Sequence, residues 1–79
     1  MTLGEAFTIR FNSILKSKRI TLHKFVKKSC IPRSTLVNVL KGNTKNPSLA
    51  LVYQVAAGFE MTALDFLDDP IFNRYVIEY

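Results

Sequence analysis

Residues 21–42 read TLHKFVKKSCIPRSTLVNVLKG, a pattern that few folds accommodate. Thr21 suits an N-cap, because its hydroxyl can accept one of the free N–H groups at a helix start. Phe25 and Val26 then give a buried stripe. Pro32 blocks continuation of that helix, since it lacks an N–H and disfavours a helical Ile31. A second helix is predicted over residues 33–41, with Leu36, Val39 and Leu40 inward, and Gly42 suits the position just past its end. The segment therefore reads as two short amphipathic helices joined by a tight turn at residues 29–31.

The charge around this pair is one-sided. Residues 6–59 contain no Asp or Glu, and every Lys and Arg except Arg74 precedes Asn46. Glu60, Asp65, Asp68, Asp69 and Glu78 all follow Gly58. A chain of net charge +5 with its cations gathered around a helix pair points to a polyanionic partner.

The remaining pattern is helical. Thr2 and Glu5 fit a capping box, after which Leu3, Phe7, Phe11, Ile14 and Leu15 recur at helical spacing. Ser48 is predicted to cap a fourth helix burying Leu49, Val52, Val55 and Ala56, and Thr62 a short fifth carrying Leu64, Phe66 and Leu67. Phe59 is expected to end the fourth helix, with Gly58 in its last turn. Residues 71–79 are ambiguous, with helical spacing but strand-favouring Tyr75, Val76 and Ile77. A chain of 79 residues is one domain, here divided into residues 1–68 and a tail of residues 69–79.

Catalytic and metal chemistries find no support. His23 and Cys30, the single histidine and single cysteine, have no acid near in sequence to orient the histidine. They are too few to hold zinc, and no cofactor is expected. One cysteine cannot form an internal disulfide. No apolar run approaches the roughly 20 residues of a membrane span, and Arg10 and Asn12 interrupt any signal-peptide core. These features lead us to expect a soluble cytoplasmic protein that is not an enzyme. Lys27 and Lys28 are expected to be solvated, Cys30 semi-buried in the turn, and Phe7, Phe11, Phe25, Phe59 and Phe66 to form the core.

Ile20, Thr21, Phe25, Ile31, Arg33, Ser34, Thr35, Leu36, Val39, Gly42, Asn46, Pro47, Ser48, Val55, Ala56, Phe66 and Leu67 together resemble the XRE family. This is the lambda-repressor-like helix-turn-helix group of phage repressor and Cro proteins. The likeness spans about residues 7–67. It implies an all-α, compact five-helix DNA-binding domain, here with a C-terminal extension, that is usually dimeric. It makes residues 33–41 the recognition helix.

The chain departs from the family pattern in places. Cys30 replaces the turn glycine, which matters if that position needs a positive φ. Val26 stands where the family usually has a small residue. Leu22 stands where glutamine is frequent, and Glu60 where a glycine follows the fourth helix. Leu15 and Leu40 occupy positions where many relatives pair Arg with Glu, and are expected to touch.

A recognition helix presents its first residues to base edges in the major groove of double-stranded DNA. The matching positions are Arg33, Ser34, Val37 and Asn38. Arg33 suits guanine, Asn38 adenine and Val37 a thymine methyl. Thr21, Lys24, Lys41, Asn43, Thr44 and Lys45, with Arg10 from the first helix, are candidate backbone contacts. Ile71, Phe72, Tyr75 and Val76 are the candidate homodimerisation residues. The expected function is a sequence-specific transcriptional regulator, a repressor-type dimer on an inverted repeat. The alternative is an antitoxin-type protein whose apolar tail binds a protein partner.

Overall fold

The computed structural model describes residues 1–73 and 77. The helices are α1 (Leu3–Lys18), α2 (Leu22–Ser29), α3 (Arg33–Leu40), α4 (Leu49–Gly58) and α5 (Ala63–Leu67), followed by a 3-10 turn at Pro70–Phe72. The described residues include no strand, and the fold is all-α.

Side-chain caps start four of the five helices. Thr2 Oγ1 accepts the Glu5 N–H at 3.2 Å while the Thr2 N–H donates to Glu5 Oε1 at 2.9 Å. The Thr2 N–H, and then its side chain, hold the Glu5 carboxyl below its ordinary range. Thr21, Ser48 and Thr62 accept the N–H of Lys24, Leu51 and Asp65 at 3.2, 3.1 and 3.0 Å. Each bond satisfies one donor that the helix cannot satisfy internally. Only α3, which follows Pro32, starts without a side-chain cap.

Five phenylalanines form the centre. The Phe11 ring meets Phe25 edge-on at 5.0 Å and Phe59 at 5.3 Å, and Phe7 meets Phe66 at 5.4 Å. Around these rings α2 packs on α4, α4 on α5, and α1 on both α3 and the 3-10 turn. Thr8 ties α1 to α3, its hydroxyl lying 2.9 Å from the Gly4 carbonyl and 3.3 Å from that of Val39. Leu15 and Leu40 both lie half-buried against the core.

Two glycines mark close approaches. A Cβ on Gly58 would lie 2.9 Å from the Phe25 ring and from Ser29 Cβ, so the α2–α4 crossing needs glycine there. A Cβ on Gly4 would overlap the Thr44 carbonyl oxygen.

Several helix ends use the left-handed region without glycine. Arg19 has φ 56°, Cys30 φ 60° and Glu60 φ 60°. Cys30 is exposed, not semi-buried as expected, because the αL turn directs its side chain outward while Ile31 enters the core at 4% exposure. An L-residue in this conformation costs about 1–2 kcal/mol, which glycine avoids. Cys30→Gly is therefore expected to raise stability by about 0.5–1 kcal/mol, after its greater unfolded-state freedom is counted. Thermal unfolding followed by circular dichroism should show a midpoint a few degrees higher. An unchanged or lower midpoint would mean the cysteine side chain holds the turn.

The structure corrects the packing expected of Leu49. Leu49 is 65% exposed, and Leu51 enters the core in its place. Helix α4 is apolar on nearly every side, so its sequence does not mark which face turns inward. The start of the tail meets the five-helix body. Phe72 lies 6.1 Å from Phe66 and packs against the core.

Candidate nucleic-acid interface

The α2–α3 turn is held from beneath. Ile31 is buried, and its N–H donates to Ser29 Oγ at 3.3 Å. Helix α3 then buries Leu36 and Val39, at 0% and 2% exposure. Helical geometry requires the opposite side to face outward. That side carries Arg33, Ser34, Thr35 and Asn38, all exposed, with Val37 half-buried beside them. The structure thus presents the four sequence-derived base-contact candidates on the accessible part of one helix.

The loop after α3 is built by the backbone. Gly42 adopts φ 82°, and the Asn43 N–H donates to the Asn38 carbonyl at 2.9 Å. The Gly4 N–H donates to the Lys45 carbonyl at 2.7 Å, which anchors the loop on the first turn of α1. Pro47 is buried and Ser48 starts α4. Asn43 and Lys45 are exposed and Thr44 is half-buried.

Between α3, this loop and α4 runs an open groove. Thr35, Asn38, Thr44, Asn46, Ser48 and Gln54 line it together with the apolar Val39, Pro47 and Leu51. Asn38 and Thr44 were legible as candidates. Thr35 stands exposed in the first turn of α3. Gln54 is absent from the sequence-derived candidates, although it is the one amide side chain of α4, and that isolation was the available signal.

Thr21 and Lys24 are exposed at the start of α2, and Lys41 is exposed at the end of α3. The Thr21 hydroxyl accepts the Lys24 N–H as a cap, which leaves its own hydrogen free to donate outward. Among the described residues, Lys24, Arg33, Lys41 and Lys45 have no acidic partner. Lys28 is exposed, as expected, and also pairs with Glu60 at 2.7 Å. That hydrogen bond and the ammonium charge hold the Glu60 carboxyl below its ordinary range.

Arg10 is removed from the set of backbone-contact candidates. Its Nε donates to the Phe66 carbonyl at 2.8 Å, Nη2 to the Asp65 carbonyl at 3.0 Å, and Nη1 lies 3.3 Å from Asp69 Oδ2. The guanidinium supplies a donor to the Phe66 carbonyl at the end of α5 and a second donor to the Asp65 carbonyl, which also accepts the Asp68 N–H at 3.3 Å. Of the candidate dimerisation residues, Ile71 and Phe72 are half-buried, and Phe72 packs on Phe66 of its own chain. Tyr75 and Val76 lie outside the described residues.

The described residues contain no cluster of His, Cys, Asp or Glu able to hold a metal ion. Among them no helix is long and apolar enough to cross a membrane.

No family profile matches the chain, and no curated protein matches it in sequence. A solved structure does match it in fold, the crystal structure of the prophage Lp1 protein 11. The two are 20% identical and superpose with a TM-score of 0.82 over 94% of this chain and 97% of that one.

Proposed function

We propose that the chain is a sequence-specific DNA-binding regulator of the XRE helix-turn-helix type. It acts by inserting α3 into the major groove of double-stranded DNA, as a homodimer on an inverted repeat. The observation that carries this reading is the outward face of α3. Arg33, Ser34 and Asn38 stand exposed, on a stretch of residues 6–59 that contains no acid. The fold shared with a prophage protein agrees with it.

In this reading the two classes of contact do different work. Arg33 bonds a guanine edge through two N–H groups, Asn38 an adenine edge, and Val37 packs on a thymine methyl. Lys24, Lys41 and Lys45 neutralise phosphates, and Thr21, Asn43 and Thr44 hydrogen-bond them, fixing register without reading sequence. The task is binding, not catalysis, and it requires no cofactor.

The test is in vitro selection from random DNA at near-physiological salt, followed by titration of variants against the selected site. Arg33→Ala is expected to cost about 1–3 kcal/mol and to relax preference at one base pair. Lys45→Ala is expected to weaken all sequences alike and to reduce the salt slope by about 1. If Arg33→Ala weakened every sequence equally, Arg33 would be a phosphate contact. If selection enriched nothing, sequence-specific reading by α3 would be refuted.

A further inference from the structure

We propose that the exposed face of α4 joins two copies of this chain, antiparallel, across a two-fold axis at Tyr53. The inference rests on the dimeric reading above and assigns it a surface. Leu49, Tyr53 and Ala57 recur every fourth residue and share one stripe of the helix. Leu49 is 65% and Tyr53 59% exposed, and Ala57 is exposed beside them. More than half of each large side chain is therefore left uncovered.

The pattern is self-complementary. A two-fold axis through the middle of the stripe sets Tyr53 against Tyr53 of the second copy. It also sets each Leu49 against the other copy's Ala57, a large side chain over a small one, so the surfaces interlock. Isologous contacts demand this kind of reciprocal match.

Charge selects the occupant. No residue from Asn46 to Phe59 is charged, whereas α1, α2 and α3 each expose Lys or Arg. Two copies of net charge +5 repel through those faces and can meet without apposing like charges through α4. DNA finds no cation on this helix, and an anionic lipid surface finds none of the basic residues that interfacial helices use. One face of a ten-residue helix is small beside the roughly 800 Å² per partner of a stable complex. The contact is therefore weak in free solution and strengthens when neighbouring half-sites hold both copies.

The experiment uses the full chain. Cys30→Ser removes the exposed thiol, and Tyr53→Cys then places one thiol at the axis. Mild oxidation, with and without DNA, is expected to give a covalent dimer, while Leu64→Cys in the same background is not. Leu64 supplies the comparison because it is the most exposed large apolar side chain among the described residues, at 81%. In sedimentation velocity over a dilution series, Tyr53→Lys is expected to raise the dimer dissociation constant at least about tenfold and Leu64→Lys to leave it unchanged. Circular dichroism checks that each variant is folded.

A wild-type dimer that Tyr53→Lys leaves intact would overturn this interface and keep the dimeric reading. Absence of both a wild-type dimer and a Tyr53→Cys cross-link, even on DNA, would overturn the interface and the dimeric reading together. DNA reading by α3 is judged separately by the selection experiment.

Discussion

Gly4→Ala is expected to lower stability by about 2–4 kcal/mol and to weaken DNA binding in whatever fraction stays folded. The added methyl would overlap the Thr44 carbonyl oxygen, a backbone atom that cannot rotate away. Either α1 or the loop must move, and the 2.7 Å bond from the Gly4 N–H to the Lys45 carbonyl is lost or stretched. An alanine in the first turn of an isolated helix would normally favour the helix, so local propensity and tertiary packing oppose each other here. The tertiary term is larger. For a chain of 79 residues the total stability is about 4–12 kcal/mol, so the loss is a large share of it. Chemical denaturation should give the stability change. Titration with a selected site should show weaker binding, because Asn43, Thr44 and Lys45 ride on that loop. A variant as stable as wild type would mean that the loop is not seated on α1.

Arg10→Met is expected to cost about 2–3 kcal/mol, with little change in the salt dependence of DNA binding. Methionine keeps part of the aliphatic packing but removes every N–H. The Phe66 carbonyl loses its guanidinium donor, the Asp65 carbonyl keeps only the Asp68 N–H, and Asp69 loses its cation. Arg10→Lys should recover only part of the loss, since one ammonium cannot reproduce the planar fork that spans these acceptors. Loss of the clamp should also raise hydrogen exchange over residues 65–72 ahead of the rest of the chain. A variant of unchanged stability whose salt slope fell by about 1 would restore Arg10 to the phosphate contacts.

Much of the helical layout was legible because its causes are local. Thr2, Thr21, Ser48 and Thr62 each bond an N–H three residues ahead, so the cap and its helix lie in one short window. Phe7 and Phe11 mark the inward face of α1 by spacing alone. Pro32 separates α2 from α3 through its own covalent geometry. The exposed positions of α3 follow from the same logic, since the burial of Leu36 and Val39 leaves Arg33, Ser34 and Asn38 outside.

The features that escaped the sequence depend on residues far apart in the chain. Arg10 looked like any other cation in a basic stretch, and only the fold brings the end of α5 to its guanidinium, more than fifty positions away. Gly4 looked like an ordinary first-turn residue until the loop was laid across it. Gln54 acquires meaning when α4 comes to face α3 across a groove. Leu49 was placed inside because α4 offers no polar face to set its phase, and packing against α2 and α5 decided it. The sequence by itself determined where the helices begin and end, and which residues α3 holds outward, because capping, periodicity and proline act within a few residues. Only the tertiary structure decided which cation is bound internally, where glycine is indispensable and which apolar face stays uncovered, because those answers depend on what another segment places alongside.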